Sequence, residues 1–262
     1  MRIVVCAKQV PDTEARVTVG KDGRSIDETG ITFIINPYDE FALEEGLRIK
    51  ERLGGQATVT MVCVGPPRAE EALRTGLAMG ADAAVHVWDD SLAGADAAAL
   101  ALVLQAAVTQ LGFDLILCGR VAIDDASAQV GLRLAERLGL PHANAVTKLE
   151  VQGSRLVAHR EVEGGVEVVE LPLPAVVTAQ KGLNEPRYPT IPAIMKARRR
   201  EIGRPGLAGL GLDAGKVADA CRSEVLSLAP APARKGGRLV AGEPQEAART
   251  LAHLLREEAK VL

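Results

Sequence analysis

Aromatic side chains are scarce in this chain, at 2% of 262 residues, and Trp88 is its only tryptophan. Single-stranded nucleic acid is held on aromatic stacking faces, so that binding class is disfavoured. Charge of one sign is scarce as well. The formal net charge is −3, which offers no bulk attraction to nucleic acid or to an anionic membrane. Apolar runs are short and broken by Asp, Gly or Pro, so no transmembrane helix is expected. Met1-Arg2 leads straight into an apolar run with no n-region and no cleavage site, which argues against a secretory signal. No Cys-x-x-Cys occurs; Cys6, Cys63 and Cys118 each sit in an apolar strand-like run, and Cys221 lies far from them. His86, His142, His159 and His253 are isolated. A reduced, cytoplasmic protein without a metal site is the expectation. Isolated histidines and the missing Gly-x-Ser-x-Gly elbow also argue against a free-standing hydrolase.

What the chain has is apolar residues, 47% of the total, enough for one large domain with a well-buried core. Strand and helix patterns alternate through the first half. Residues 2–6, 57–64, 83–88 and 114–118 read as β runs, and 37–53, 68–78, 95–111 and 125–138 as helices. Segments 16–19 and 24–26 flank Lys-Asp-Gly, a hairpin signal. Strands apolar along their whole length are buried on both faces, so a mostly parallel, Rossmann-like α/β sheet flanked by helices follows. From 146 to 178 period-two runs alternate with the turn pairs Gly153-Ser154 and Gly164-Gly165. These predict antiparallel additions to the sheet, ending in an apolar strand at 175–178.

Residues 1–202 then form the α/β nucleotide-binding domain, and 203–262 a linker and extended C-terminal arm. The Gly/Pro-rich stretch from 203 to 215 reads as too irregular for a core element. Its Gly209-Leu-Gly211 lacks the strand and helix that a dinucleotide fingerprint needs. A last helix over 243–260, starting at Glu243 and Pro244, carries Ala247, Ala248, Leu251, Leu254, Leu255 and Ala259 on one face. That stripe needs cover, from its own domain or from a partner.

Ligands of open α/β sheets bind at the carboxyl ends of the strands. Two loops converge there. The stretch from Gly119 to Ala126 leads into a helix whose first N–H groups and dipole suit a phosphate. Asn36 to Asp39 opens another helix in a comparable position. Helix capping explains the same residues: Asp124, Asp125 and Ser127 at one start, Asn36 before Pro37 at the other. Asp124 and Asp125 are adjacent and point different ways, so capping is preferred over Mg²⁺ chelation.

Segment 183–200, LNEPRYPTIPAIMKARRR, places Pro186, Pro189 and Pro192 close together and excludes regular structure there. Residues 193–200 can start a helix behind Pro192. Apolar Ile191, Ile194 and Met195 sit beside Lys196, Arg198, Arg199 and Arg200. A stiff loop with an apolar tip next to a basic cluster reads as a docking element, or else as a surface linker with a solvated charge run.

This segment, preceded by VVTAQKG at 176–182, resembles the signature of the electron transfer flavoprotein beta subunit. VVCAKQVPD at 4–12, NPYDEFALEEGLRIKE at 36–51 and CGRVAIDDASAQVG at 118–131 agree with that family in the same order. The likeness runs from about residue 2 to about residue 202. It implies an electron carrier rather than an enzyme, in a heterodimer whose alpha subunit holds most of a redox FAD. Electrons would pass from acyl-CoA and related dehydrogenases, as in fatty acid oxidation, to a membrane quinone oxidoreductase. The few aromatic residues here mean that this chain would give the flavin few aromatic faces.

The resemblance also implies AMP as a structural ligand. Cys6 and Val64 would line the adenosine pocket. Asn36, Pro37, Tyr38 and Asp39 would surround the nucleotide together with Gly119, Arg120, Val121, Ala122, Ile123, Asp124, Asp125, Ala126, Ser127, Ala128, Gln129 and Val130. Many members carry an amide and a hydroxyl where this chain has Ala128 and Val130, so the phosphate would lean on backbone N–H groups with Ser127 and Gln129. Ser-Ala-Gln-Val-Gly also resembles electron-bifurcating relatives, in which a second FAD fills this pocket and NADH is oxidised. Asn184, Pro186, Arg187, Tyr188, Ile191, Met195 and Lys196 would form the partner-docking face, with Ile191 as anchor. In the family the C-terminal arm reaches over the alpha subunit.

Overall fold

Runs of Val, Ile and Leu alternate with helices along most of the chain. In order these are β1 (Arg2–Ala7), β2 (Gln9–Pro11), β3 (Phe33–Ile35), α1 (Pro37–Arg52), β4 (Thr58–Val64), α2 (Glu70–Met79) and β5 (Ala83–Val87). Then follow α3 (Ala97–Leu111), β6 (Leu115–Gly119), α4 (Val130–Leu138), β7 (His142–Gln152), β8 (Arg155–Val162), β9 (Gly165–Pro172) and β10 (Ala175–Ala179). The short helices α5 (Ile191–Ala197), α6 (Gly206–Gly209) and α7 (Ala214–Ala220) precede α8 (Pro244–Glu257). This computed structural model describes residues 1–231 and 236–262, and the chain divides into Met1–Ser227 and Leu228–Leu262.

Eight strands form one sheet in the order β5-β4-β1-β6-β10-β7-β8-β9, parallel from β5 to β7 and antiparallel across β7, β8 and β9. The expected class is therefore present: a mostly parallel sheet flanked by helices, with antiparallel additions. Alternate residues of β1 serve two cores, as the period of a strand requires. Ile3 and Val5 pack with Leu43, Leu47, Leu73 and Leu77 from α1 and α2. Val4 and Cys6 pack with Val103, Leu104 and Leu134 from α3 and α4. Close approach of α2 to the sheet requires Gly76, because a Cβ there would overlap the Met61 thioether. The chain passes from β1 outward to β4 and β5, then returns to β6 on the other side of β1. That reversal opens a crevice between the carboxyl ends of β1 and β6.

Three expectations need correction. Around Lys-Asp-Gly only the single bridge Val19↔Ile26 forms, in a turn held by Asp22, which accepts the N–H groups of Arg24 and Ser25. Two such short, mostly exposed runs have too little apolar surface to make a ribbon. Residues 203–215 do contribute to the core: Leu207 is buried, as is Val217 just beyond, and Gly203 bridges to Val85. The helix expected from 125 begins only at Val130, because Ala126 and Ala128 are left-handed at φ 52° and 51°. Among the described residues no helix is long and apolar enough to cross a membrane. No residue of α8 is buried, and Glu243 stands at its N-cap with Pro244 at N1, where the sequence places them.

Candidate functional site

The crevice at the β1/β6 reversal measures about 780 Å³, within the usual range for small-molecule sites. Cys6 and Cys118 face each other across β1 and β6 at its floor, with Val64 at the end of β4 beside them. The hydrogen bond to Cys6, together with burial, holds the Cys118 thiol well above the ordinary thiol range. All four cysteines are free.

Two residues at the start of α1 build the walls. Asn36 Nδ2 donates to Val121 O (3.0 Å), and its Oδ1 accepts the Ile123 N–H (3.2 Å). Asp39 accepts the Lys8 and Gly119 N–H groups, each at 2.8 Å, and so pins the exits of β1 and β6 together. Burial pushes the Asp39 carboxyl up to about 7, against the pull of those two donors. Gly119 is obligatory in this arrangement. A Cβ there would lie 2.8 Å from the Tyr38 backbone carbon and overlap the Asp39 carboxylate.

Lys8, which the sequence reading passed over, reaches across the crevice to Asp124 (2.8 Å) and Asp125 (3.1 Å). Burial disfavours its charge, yet the two carboxylates outweigh that and raise its pKa. Asp124 and Asp125 thus anchor the loop to Lys8 and do not cap α4. Asp125 also accepts the Ser127 N–H at 3.0 Å. Gln129 occupies the N-cap of α4 without a side-chain hydrogen bond to it, so no side chain competes for the first-turn N–H groups. Those groups, with the helix dipole, make an anion-binding end.

Of the residues expected to line the site, Cys6, Asn36, Asp39, Val64, Gly119, Arg120, Val121, Ala122, Asp125, Ser127, Ala128, Gln129 and Val130 do so. Pro37 and Tyr38 in the first turn of α1, and Ile123, Asp124 and Ala126 in the loop after β6, are not among the residues that line the crevice. The far wall comes from the α3 start and from residues 222–225, which sequence patterns did not reveal. Asp96 explains their position. It caps α3 through the Ala98 and Ala99 N–H groups and also accepts the N–H groups of Arg222 and Ser223. Burial would raise its pKa, but these donors hold it down at about 2. Arg133 and Arg222 add positive charge to the lining beside Arg120.

Segment 183–200 lies apart from the crevice. Thr190 caps α5, which starts two residues earlier than its sequence suggests and shows Ile191, Ile194 and Met195 on one exposed face. Tyr188 is 95% exposed, Ile191 78% and Met195 50%. Lys196, Arg198 and Arg199 are also exposed, whereas Arg200 turns inward to donate to Asp82 O. Asn184 and Arg187 turn inward too. Asn184 is buried against Phe41 O (3.0 Å), and Arg187 is paired with Glu44 and Glu51 on α1.

The doubly faced parallel sheet, with its crevice at the reversal and an uncapped helix start aimed into it, defines an open α/β protein with a small-molecule-sized crevice at its strand ends. Comparison with known proteins narrows that class. The electron transfer flavoprotein domain profile matches residues 24–207. The beta subunit of electron transfer flavoprotein from Bacillus subtilis (strain 168) is 44% identical, with full coverage of both chains. The same subunit from Syntrophomonas wolfei is 39% identical over 100% of this chain and 98% of its own. The caffeyl-CoA reductase-Etf complex subunit CarD of Acetobacterium woodii is 39% identical over 98% of this chain and 99% of its own. This chain belongs to the electron transfer flavoprotein beta-subunit family.

Proposed function

We propose that this chain pairs with an alpha subunit to form an electron-carrying heterodimer, holds AMP in the β1/β6 crevice, and docks electron donors through segment 183–200. The crevice carries the reading. Its residues fit a mononucleotide phosphate: the α4 start is uncapped, and Arg120, Arg133 and Arg222 line it with positive charge. Apolar Cys6, Val64, Leu100 and Leu104 suit an adenosine. FAD, shared with the alpha subunit, supplies the redox chemistry when bound. This chain's part is to give the partner a rigid base and to bring donors near it. Its free thiols fit a reducing cytoplasmic setting.

Ile191 at the exposed tip suits the small, transient contacts of electron-transfer partners, and Lys196, Arg198 and Arg199 suit steering of an acidic surface. Acyl-CoA dehydrogenases are the proposed donors, and a membrane quinone oxidoreductase the acceptor. Ile191→Ala is expected to slow electron transfer from an acyl-CoA dehydrogenase by roughly tenfold at low donor concentration, with flavin content unchanged. An unaltered rate at low donor concentration would remove Ile191 as the anchor.

A second reading draws on the likeness to the caffeyl-CoA reductase-Etf complex subunit. In it the same crevice takes a second FAD and the heterodimer oxidises NADH. The crevice extends from the α4 start to residues 222–225 and so reaches beyond the phosphate-facing loop.

A further inference from the structure

Segment 183–200 stands on two feet. The entry foot rests on α1, where adjacent Glu44 and Glu45 are each only 3% exposed. Buried carboxylates need partners: α1 gives Arg48 to Glu44 and Arg52 to Glu45, and the segment adds its own. Arg187 Nε and Nη2 lie 2.8 and 3.0 Å from the two Glu44 oxygens, its Nη1 lies 2.7 Å from Glu51, and its backbone N–H donates to Glu44 at 3.2 Å. Asn184 Nδ2 donates to Phe41 O (3.0 Å) and to Glu45 (3.2 Å). The exit foot rests on α2. Arg74 Nη1 donates to the carbonyls of Ala197, Arg198 and Arg200 at 3.0, 3.2 and 3.3 Å. It thereby serves carbonyls at and just past the end of α5, Ala197 O being shared with the Arg200 N–H. Between the feet stand Tyr188, Ile191 and Met195, largely in solvent.

A small interface gains little area, so the entropy lost in ordering a loop decides much of its affinity. We infer that Arg187 and Asn184 are positioning residues for docking: through Glu44 and Glu45 they fix the entry foot and present the Ile191 tip already ordered to the electron donor. Neither side chain belongs to the exposed tip. The inference rests on the docking reading above and adds to it a division between the groups that meet the partner and the groups that hold them.

The test uses the flavin-loaded heterodimer carrying Arg187→Ala, Arg187→Lys, Glu51→Gln or Ile191→Ala. KM and kcat are measured with an acyl-CoA dehydrogenase as donor, and amide hydrogen exchange is followed across 184–197. Arg187→Ala is expected to raise KM roughly tenfold, to leave kcat within about twofold, and to speed exchange at 188–195. Arg187→Lys keeps the charge but loses the bidentate geometry, so a KM rise of roughly threefold is expected. Should Arg187→Ala not yield a folded heterodimer, Glu51→Gln, which loosens only the exposed half of the clamp, is expected to raise KM about twofold with faster exchange. A raised KM for Ile191→Ala beside an unchanged KM for the clamp variants overturns the positioning role. A raised KM for Arg187→Ala without faster exchange also overturns it, since Arg187 would then meet the donor directly. If Ile191→Ala leaves KM unchanged as well, the docking reading itself fails.

Discussion

Asp39 is a buried carboxylate that ties the end of β1 to the end of β6 through two backbone N–H groups. Its folded-state pKa is about 7, raised by burial, against an ordinary value of 3.8. The sign follows from proton counting: between about pH 4 and about pH 7 the folded chain binds the proton that the unfolded chain has lost. Asp39 therefore makes stability fall as pH rises through that window, with no further change above it. Glu44 acts in the opposite sense. Burial would raise its pKa, but Arg187 and Arg48 hold it below the ordinary value, so its contribution is lost on acidification. Urea unfolding of the wild-type chain and Asp39→Asn, each at about pH 5 and about pH 8, isolates the Asp39 part. The wild type is expected to lose stability relative to the variant at the higher pH. Equal pH dependence in the two would mean that Asp39 titrates as an ordinary carboxylate.

The loop between β6 and α4 decides what the crevice can hold. Ala126 and Ala128 are both left-handed, a conformation that costs any residue with a Cβ and costs a β-branched one most. Ala128→Val is expected to destabilise the chain by about 1–3 kcal/mol and to weaken AMP retention, read by thermal unfolding with and without added AMP. A variant as stable as the parent, with the same AMP-induced shift, would show that the loop geometry is not needed. The sequence carried little sign of this loop. Asp124, Asp125 and Ser127 have the composition of a helix start, and only the tertiary pairing with Lys8 shows that they serve the loop instead. Strand and helix alternation was legible for β1, β4, β5 and β6 and the helices between them, because strands buried on both faces need unbroken apolar runs, whereas the short β2 and β3 pair was not. So was the apolar tip at Ile191, since nothing near it in sequence is able to bury it. The inward turn of Asn184 and Arg187 was not legible: their partners Phe41, Glu44 and Glu45 lie more than a hundred residues away in sequence. Residues 222–225 escaped for the same reason, being placed by Asp96.

At the scale of the whole molecule, a chain of net charge −3 keeps Lys196, Arg198 and Arg199 exposed beside one apolar tip. That local field is expected to steer acidic partners, so raising ionic strength from about 0.02 M to about 0.2 M is expected to slow second-order electron transfer to an acidic acceptor several-fold. A salt-independent rate in stopped-flow measurements would leave the cluster as an ordinary solvated face. The crevice is proposed to hold a mononucleotide structurally in this chain while the flavin is shared with a partner. Its most direct test is to co-purify the chain with its alpha subunit, denature the heterodimer and quantify every nucleotide released. One FAD and one AMP per heterodimer is the predicted result. Two FAD and no AMP would contradict it and make the β1/β6 crevice a flavin site.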